Sequence, residues 1–316
     1  MPDHTTQSIP EDRSRLLNLQ YNHQADDINC VISALKKDQV VLVQGIEPDE
    51  ANQFLFAVSS ALGLGDALAL QSTFASSLGH RDNVGDYFMS VNKRKDYQFV
   101  TPHSEGGSFG NIQLASFYGY ENTTDGGESI LMNVDQSSDI WPLLREKTNR
   151  GMADRPLTDA EINQLKVMAR VNMPEDTLSE SDEILSQRVL VPGFTLFEVL
   201  AKLRKSYSKI LDQNIHAYWD AVECVDFDSA LQFNDFLTQN GLLKQLAQKL
   251  PIEMIDVDAP RRVRHLGCVY DRLFSSKITH KLQPGELVIQ NNLSWTHSVN
   301  NWTPGSGTRK VVGAFA

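Results

Sequence analysis

The chain has 316 residues and a mass of 35.4 kDa, with 41% hydrophobic and 22% charged residues, a globular composition that excludes disorder as the default state. A formal net charge of -11 and a pI near 5.2 argue against a nucleic-acid surface, which needs a basic stripe to replace condensed counterions. Cys30, Cys224 and Cys268 are widely spaced and odd in number, so neither a disulfide framework nor a CxxC metal knuckle is indicated, and a reduced, cytoplasmic setting fits.

The N-terminal stretch PDHTTQSIPEDRSRLL lacks the basic start and apolar core of a signal peptide, and no apolar run approaches the ~18 residues of a membrane span. Residues 26 to 37 place Ile28, Val31, Ile32 and Leu35 at helical spacing, and VVLVQG follows as a β-branched strand ending at Gly45. PDEANQFLFAVSSALGLG opens with Pro48 and acidic residues and closes at a glycine, the punctuation of a second helix packed outside a sheet. From Tyr87 to Leu131 the pattern turns to strands, in DYFMSV, DYQFVTPHSE, NIQLASFYGY and ESILMN, with NTTDGG as a turn.

Residues 139 to 255 read as a helical insertion, with candidate helices in DIWPLLREK, TDAEINQLKVMARV, TLFEVLAKLRKSYSKILDQ and SALQFNDFLTQNGLLKQLAQKL. Thr158 and Glu161 form a capping-box pattern. Strands return in RRVRHLGCVY, KITHKL, ELVIQNN, WTHSV and RKVVGAFA. The whole reads as one domain, 1–316, with β-rich halves at about 38–135 and 260–316.

His103 and Glu105 are one residue apart, and on a strand positions i and i+2 share a face, so both can approach one ion. An imidazole and a carboxylate joined by a distant second histidine make the 2-His-1-carboxylate facial triad of non-haem Fe(II) oxygenases, which leaves coordination positions open. Taken alone, an HxE pair is often just a hydrogen-bonded strand histidine beside an acid.

Two longer stretches add to the pair: TPHSEGGSFGNIQLASFYGYENTTDGGESILMN and GELVIQNNLSWTHSVNNWTPGSGTRKVVGAFA. Both resemble the TauD/TfdA-like superfamily of Fe(II)/2-oxoglutarate-dependent dioxygenases, in the HxE branch similar to amino-acid hydroxylases of natural-product pathways. The resemblance covers the two β-rich blocks, reaches 28–64 loosely, and leaves 139–255 unmatched. It implies a double-stranded β-helix, or jelly roll, with flanking N-terminal helices. It further implies His103, Glu105 and His297 as catalytic metal ligands, with Ser129, after Gly126, Gly127 and Glu128, touching 2-oxoglutarate through its hydroxyl. Arg309 then pairs with the C5 carboxylate of that co-substrate, a task that suits a planar guanidinium fork better than the neighbouring Lys310. Where many relatives carry glycine after the distal histidine this chain has Ser298, and Gly313 stands where taurine dioxygenase has a second arginine, which speaks against a taurine-like substrate.

The implied reaction couples decarboxylation of 2-oxoglutarate to succinate, with Fe(II) and O2, to hydroxylation of an aliphatic C–H of a small molecule. A free or carrier-tethered amino acid is the leading substrate class, and Glu105 argues against halogenation. Neither nucleic acid nor membrane is expected as a partner, and a homo-oligomer is compatible with the sequence. Desaturation or cyclisation at the same site, a metal enzyme that does not use 2-oxoglutarate, zinc in the same ligand set, and a non-catalytic jelly-roll binding protein are the alternatives. Trp295 is read as packing; Arg261, Arg262 and Arg264 as solvated charges or a substrate-carboxylate contact; Asn92, Tyr118 and Arg272 as weaker pocket candidates; His265 and His280 as non-ligands.

Overall fold

A computed structural model describes residues 8–77, 81–91, 100–107, 110–219, 222–224, 237–244 and 270–316. Arg261, Arg262, Arg264, His265, Asn92 and Cys268 lie outside the described residues, as do residues 261–269 of the expected strand 261–270, whose last residue opens a short helix, Tyr270–Leu273, and most of the expected helix at 229–250.

The N-terminal segment forms the layer expected of it. Helix α1 (Ala25–Lys36) buries Val31, Ala34 and Leu35, one turn apart on a single face, with Asp26 and Asp27 at its positive end and Lys36 at its negative end. Helix α2 (Pro48–Ala61) starts with proline in its first turn, where the missing N–H costs nothing. A further helix, α3 (Gly65–Ser77), follows.

Among the described residues one sheet runs, in spatial order, β1 (Leu16–Gln20), β2 (Val40–Gln44), β15 (Glu286–Asn291), β6 (Leu114–Asn122), β17 (Arg309–Phe315), β4 (Phe88–Ser90) and β3 (Asn83–Val84). The second sheet runs β14 (Phe274–His280), β7 (Ser129–Val134), β16 (Trp295–Val299) and β5 (Val100–His103). In chain order the strands from β4 to β7, and again from β14 to β17, alternate between the two sheets. That alternation is the winding of a double-stranded β-helix, so the jelly roll expected from the sequence is the observed fold.

The period of two along each strand divides the core into three layers. Phe117, Leu42, Val288, Val311 and Phe315 from the first sheet meet Leu131, Ile278 and Trp295 from the second, forming the layer between the sheets. Tyr118, Val41, Val43 and Leu287 point the opposite way and pack on α1 and α2 through Val31, Leu35, Phe54 and Leu55. Ile130, Met132 and Val134 turn outward from the second sheet onto Trp141, Leu144, Tyr218 and Trp219 of the inserted segment. A shift of one residue in β7 would exchange two of these layers, which fixes its register.

The inserted segment corrects the sequence reading. Residues 139–147 give one short turn, Trp141–Leu143, and then β8 (Leu144–Ala153); residues 195–213 fall in β10 (Phe194–Lys202), β11 (Ser206–Ser208) and the start of β12 (Gln213–Ile215). With β9 (Glu183–Val191) and β13 (Val222–Cys224) they build a four-stranded antiparallel sheet, ordered β13-β8-β10-β9, beside the β11–β12 hairpin. The physical reason is visible in β10, which is covered on both faces. Phe194 and Leu196 pack on one side, Phe197, Val199 and Ala201 on the other. Burying both faces erases alternation, and Leu196, Val199, Leu200 and Leu203 fall by coincidence at helical spacing. The TDAEINQLKVMA segment does become a helix, α4 (Asp159–Ala169), with both reciprocal bonds of the Thr158–Glu161 capping box formed, and residues 237–239 are helical within the fourth candidate.

Candidate metal centre

His297 lies in β16 directly opposite His103 of β5 in the antiparallel register. Cross-strand partners bring their Cβ atoms close together on one face, and here the two imidazole rings stand 4.5 Å apart between centroids. The strand β5 ends at His103, so Glu105 is not on the strand as the i, i+2 reading assumed. Ser104 instead bridges to Trp219, its N–H donating to the Tyr218 carbonyl at 2.7 Å, and Glu105 follows in a bend.

Asn292 holds that bend in place. Its Oδ1 accepts from the Glu105 N–H at 2.8 Å, and its Nδ2 donates to the carbonyls of Glu105 at 3.0 Å and Ile112 at 2.8 Å. Asn292 is fully buried at the end of β15, so the side chain of one sheet pins the backbone that carries a carboxylate of the other.

The result is a convergent cluster. Glu105 Oε2 is 3.7 Å from the Nε2 of His103 and 3.7 Å from the Nε2 of His297, too long for hydrogen bonds and spaced around a common centre. One ligand atom from each of the three lies within 4.8 Å of the others. Two imidazole nitrogens and one carboxylate oxygen are the donor set that suits Fe(II) or Zn(II), and the residues fit such an ion. The structure thus brings together the three side chains singled out in the sequence.

The electrostatics favour a cation. Burial alone would raise the pKa of the Glu105 carboxyl, but the close approach of the His103 and His297 imidazoles and the charge of Arg81 outweigh it and hold the group well below the ordinary carboxylate range. His297 is pushed down to about 4, first by burial and then by the charge of His103, so its imidazole is neutral and able to ligate at neutral pH. Phe117 flanks the His297 ring at 4.8 Å and Phe315 at 6.4 Å between centroids, an apolar wall between the sheets.

Arg309 reaches the glycine turn that precedes Ser129. Arg309 opens β17 and donates from Nε to the Gly127 carbonyl at 3.1 Å. Gly127 has φ +74°, and a Cβ there would lie 2.8 Å from Arg309 Cδ; a Cβ on Gly126 would lie 2.1 Å from the Asn301 carbonyl oxygen. The glycine pair is what lets the arginine approach. Burial depresses the Arg309 pKa to about 10, which leaves it charged at neutral pH, and no carboxylate of the described residues pairs with it. Ser129 begins β7 opposite Val299 and shares a strand face with Leu131, which points between the sheets.

The remaining candidates fall away from the cluster. Trp295 is fully buried, donates to the Asp38 carbonyl at 3.1 Å and packs between the sheets. Tyr118 donates to the Ile46 carbonyl at 2.9 Å in the helix-facing layer. Arg272 pairs with Asp139 at the surface. His280 binds Glu286 at 2.7 Å, and Lys310 lies over Tyr120. Sequence reasoning missed Arg81 and Asn292. Asn292 closes the GELVIQNN motif and could have been found there, whereas nothing in the spacing of Arg81 marks it.

No protein-family model and no curated protein matches the chain. Among solved structures the chain is similar to AAD-2 in complex with Mn(II) and N-oxalylglycine, at 13% identity and a TM-score of 0.41, over 98% of this chain and 97% of that one. It is also similar to the non-haem iron oxygenase OrfP in complex with Fe, at 10% identity and a TM-score of 0.43, over 93% and 80% of the two chains. A single-residue variant of OrfP in complex with (3S)-hydroxy-L-Arg matches at 10% identity and a TM-score of 0.42, over 92% and 80%. Among the described residues no helix is long and apolar enough to cross a membrane.

Proposed function

We propose that the protein is an Fe(II)/2-oxoglutarate-dependent oxygenase that hydroxylates an aliphatic C–H of a small molecule, with a free or carrier-tethered amino acid as the leading substrate class. The observation that carries this reading is the pairing of a convergent His103–Glu105–His297 cluster with a half-buried arginine, Arg309, that lacks a carboxylate partner among the described residues. A partly desolvated guanidinium without a counter-ion gains from a carboxylate partner, and a dicarboxylate ligand would supply one at Arg309 with a second carboxylate left for a metal.

His103, Glu105 and His297 would hold the ion, which when bound supplies the activation of dioxygen coupled to oxidative decarboxylation of 2-oxoglutarate. The chain's own residues do the rest. Arg309 grips the C5 carboxylate through paired, charge-assisted hydrogen bonds, the Ser129 hydroxyl adds a further contact, and Phe117 and Phe315 keep water from one side of the pocket. The amino-acid class rests on the sequence resemblance of the two β-rich blocks. A metal enzyme that does not use 2-oxoglutarate would leave Arg309 with its contacts to the Gly127 carbonyl and the Trp302 ring but with no carboxylate ligand.

The test is succinate release from Fe(II), 2-oxoglutarate and oxygen in the presence of a panel of free L-amino acids. Wild type is expected to form succinate in a substrate-dependent way, Glu105→Ala and His297→Ala to form none, and Arg309→Lys to need more 2-oxoglutarate. Unchanged turnover in the Glu105 and His297 variants would overturn the assignment.

A further inference from the structure

The two oxygens of the Glu105 carboxylate have different neighbours. Oε2 faces the space shared by the imidazoles, 3.7 Å from each Nε2. Oε1 instead accepts a hydrogen bond from Nη2 of Arg81 at 2.5 Å. Arg81 stands on the segment between α3 and β3. Its side chain is 25% exposed, and its guanidinium carbon lies 4.8 Å from the centroid of the Phe315 ring. Phe315 packs edge-on against Phe117, the same ring that flanks His297. One aromatic wall therefore supports both a candidate metal ligand and the cation that holds a second one. Arg81 Nη1 is buried and meets no acceptor among the described residues, so Glu105 is the acceptor that fixes the guanidinium.

This division of oxygens has a coordination consequence. A carboxylate can bind a metal through one oxygen or through both. In an octahedral site, two imidazoles and one carboxylate oxygen leave three positions open, and two imidazoles and both oxygens leave two. Chelation of a 2-oxo acid takes two positions and dioxygen needs another, so the difference decides whether the site can take both reactants.

We propose that Arg81 is a positioning residue that holds Glu105 Oε1 away from the metal and keeps Glu105 a one-oxygen ligand. The consequence for oxygen chemistry rests on the function proposed above; the coordination claim itself does not. A guanidinium suits the task because its charge-assisted bond is strong and its plane rests on an aromatic face. Lysine keeps the charge but neither the fork nor the stacking. Removing the positive charge would by itself strengthen attraction for a divalent cation, so loss of metal is not the expected phenotype.

The test uses the full chain loaded with Mn(II), without oxygen, as wild type, Arg81→Met and Arg81→Lys. Water ligands on the ion are counted by pulsed EPR in deuterated water, and 2-oxoglutarate binding is titrated separately. The expected result is one water fewer in Arg81→Met than in wild type, with Mn(II) retained, 2-oxoglutarate affinity lowered roughly tenfold, and Arg81→Lys in between. An unchanged water count in Arg81→Met overturns the proposal. If Arg81→Met does not fold, Arg81→Gln, whose shorter side chain also loses the charge, carries the same comparison. Failure of wild type to bind 2-oxoglutarate would strike the proposed function alone, since the water count is read without it.

Discussion

Strands β16 and β9 show how differently two parts of one chain constrain their side chains. Every residue of β16 from Trp295 to Ser298 is buried, because one face meets the other sheet and the opposite face meets the inserted segment. In β9, at the edge of the inserted sheet, residues Glu183 to Leu190 are all exposed, including Ile184, Leu185 and Val189. Burial on both faces fixes register to the residue, and register is what sets His297 opposite His103. An edge strand with open faces, such as β9, has no such constraint.

The largest effect that would sharpen this contrast is at the cluster itself. His297→Ala is expected to abolish detectable Mn(II) or Fe(II) binding by calorimetry, because the remaining pair, His103 and Glu105, gives a two-point chelate from one short segment. Asn292→Ala should lower metal affinity by roughly 10- to 100-fold without touching a ligand atom, since it frees the Glu105 backbone. Unchanged metal affinity in that variant would show that the bend holds itself.

Core packing comes next. Leu131, 1% exposed between the sheets, should cost about 3 kcal/mol as Leu131→Ala in urea unfolding, whereas Val189→Thr on β9, 71% exposed, should stay within about 0.5 kcal/mol. Equal costs would break the comparison. A smaller, pH-dependent effect is expected at His216, stacked on Trp141 with 4.5 Å between ring centroids. Burial, followed by the charge of Lys205, lowers its pKa from 6.5 to about 4. Between those values the unfolded chain takes up a proton that the folded protein does not, so stability falls as pH drops from about 6.5 toward 4 and is unaffected above. His216→Phe should flatten that part of the thermal-midpoint curve; an unchanged slope would place the acid sensitivity elsewhere.

Much of the metal end is legible in the sequence because its constraints are local. An HxE pair, a GGES turn and a strand ending before WTH each occupy a few consecutive positions, and β6, β7 and β17 are short, mostly apolar runs bounded by turn residues. What was not legible depends on contacts between distant segments. Arg81 acquires meaning only when the fold sets it beside Glu105 and Phe315. The strand β10 reads as a helix because both its faces are covered. Helix α3 was missed because its apolar residues do not gather on one face: Leu68 is buried while Leu70 is 65% exposed.

The most direct test of a ferrous site that takes 2-oxoglutarate is an anaerobic titration followed in the visible spectrum. Wild type with one equivalent of Fe(II) should develop a weak metal-to-ligand charge-transfer band that saturates with 2-oxoglutarate, and Arg309→Ala should need far more of it. A wild-type protein that binds Fe(II) yet shows no band at any 2-oxoglutarate concentration would contradict the account.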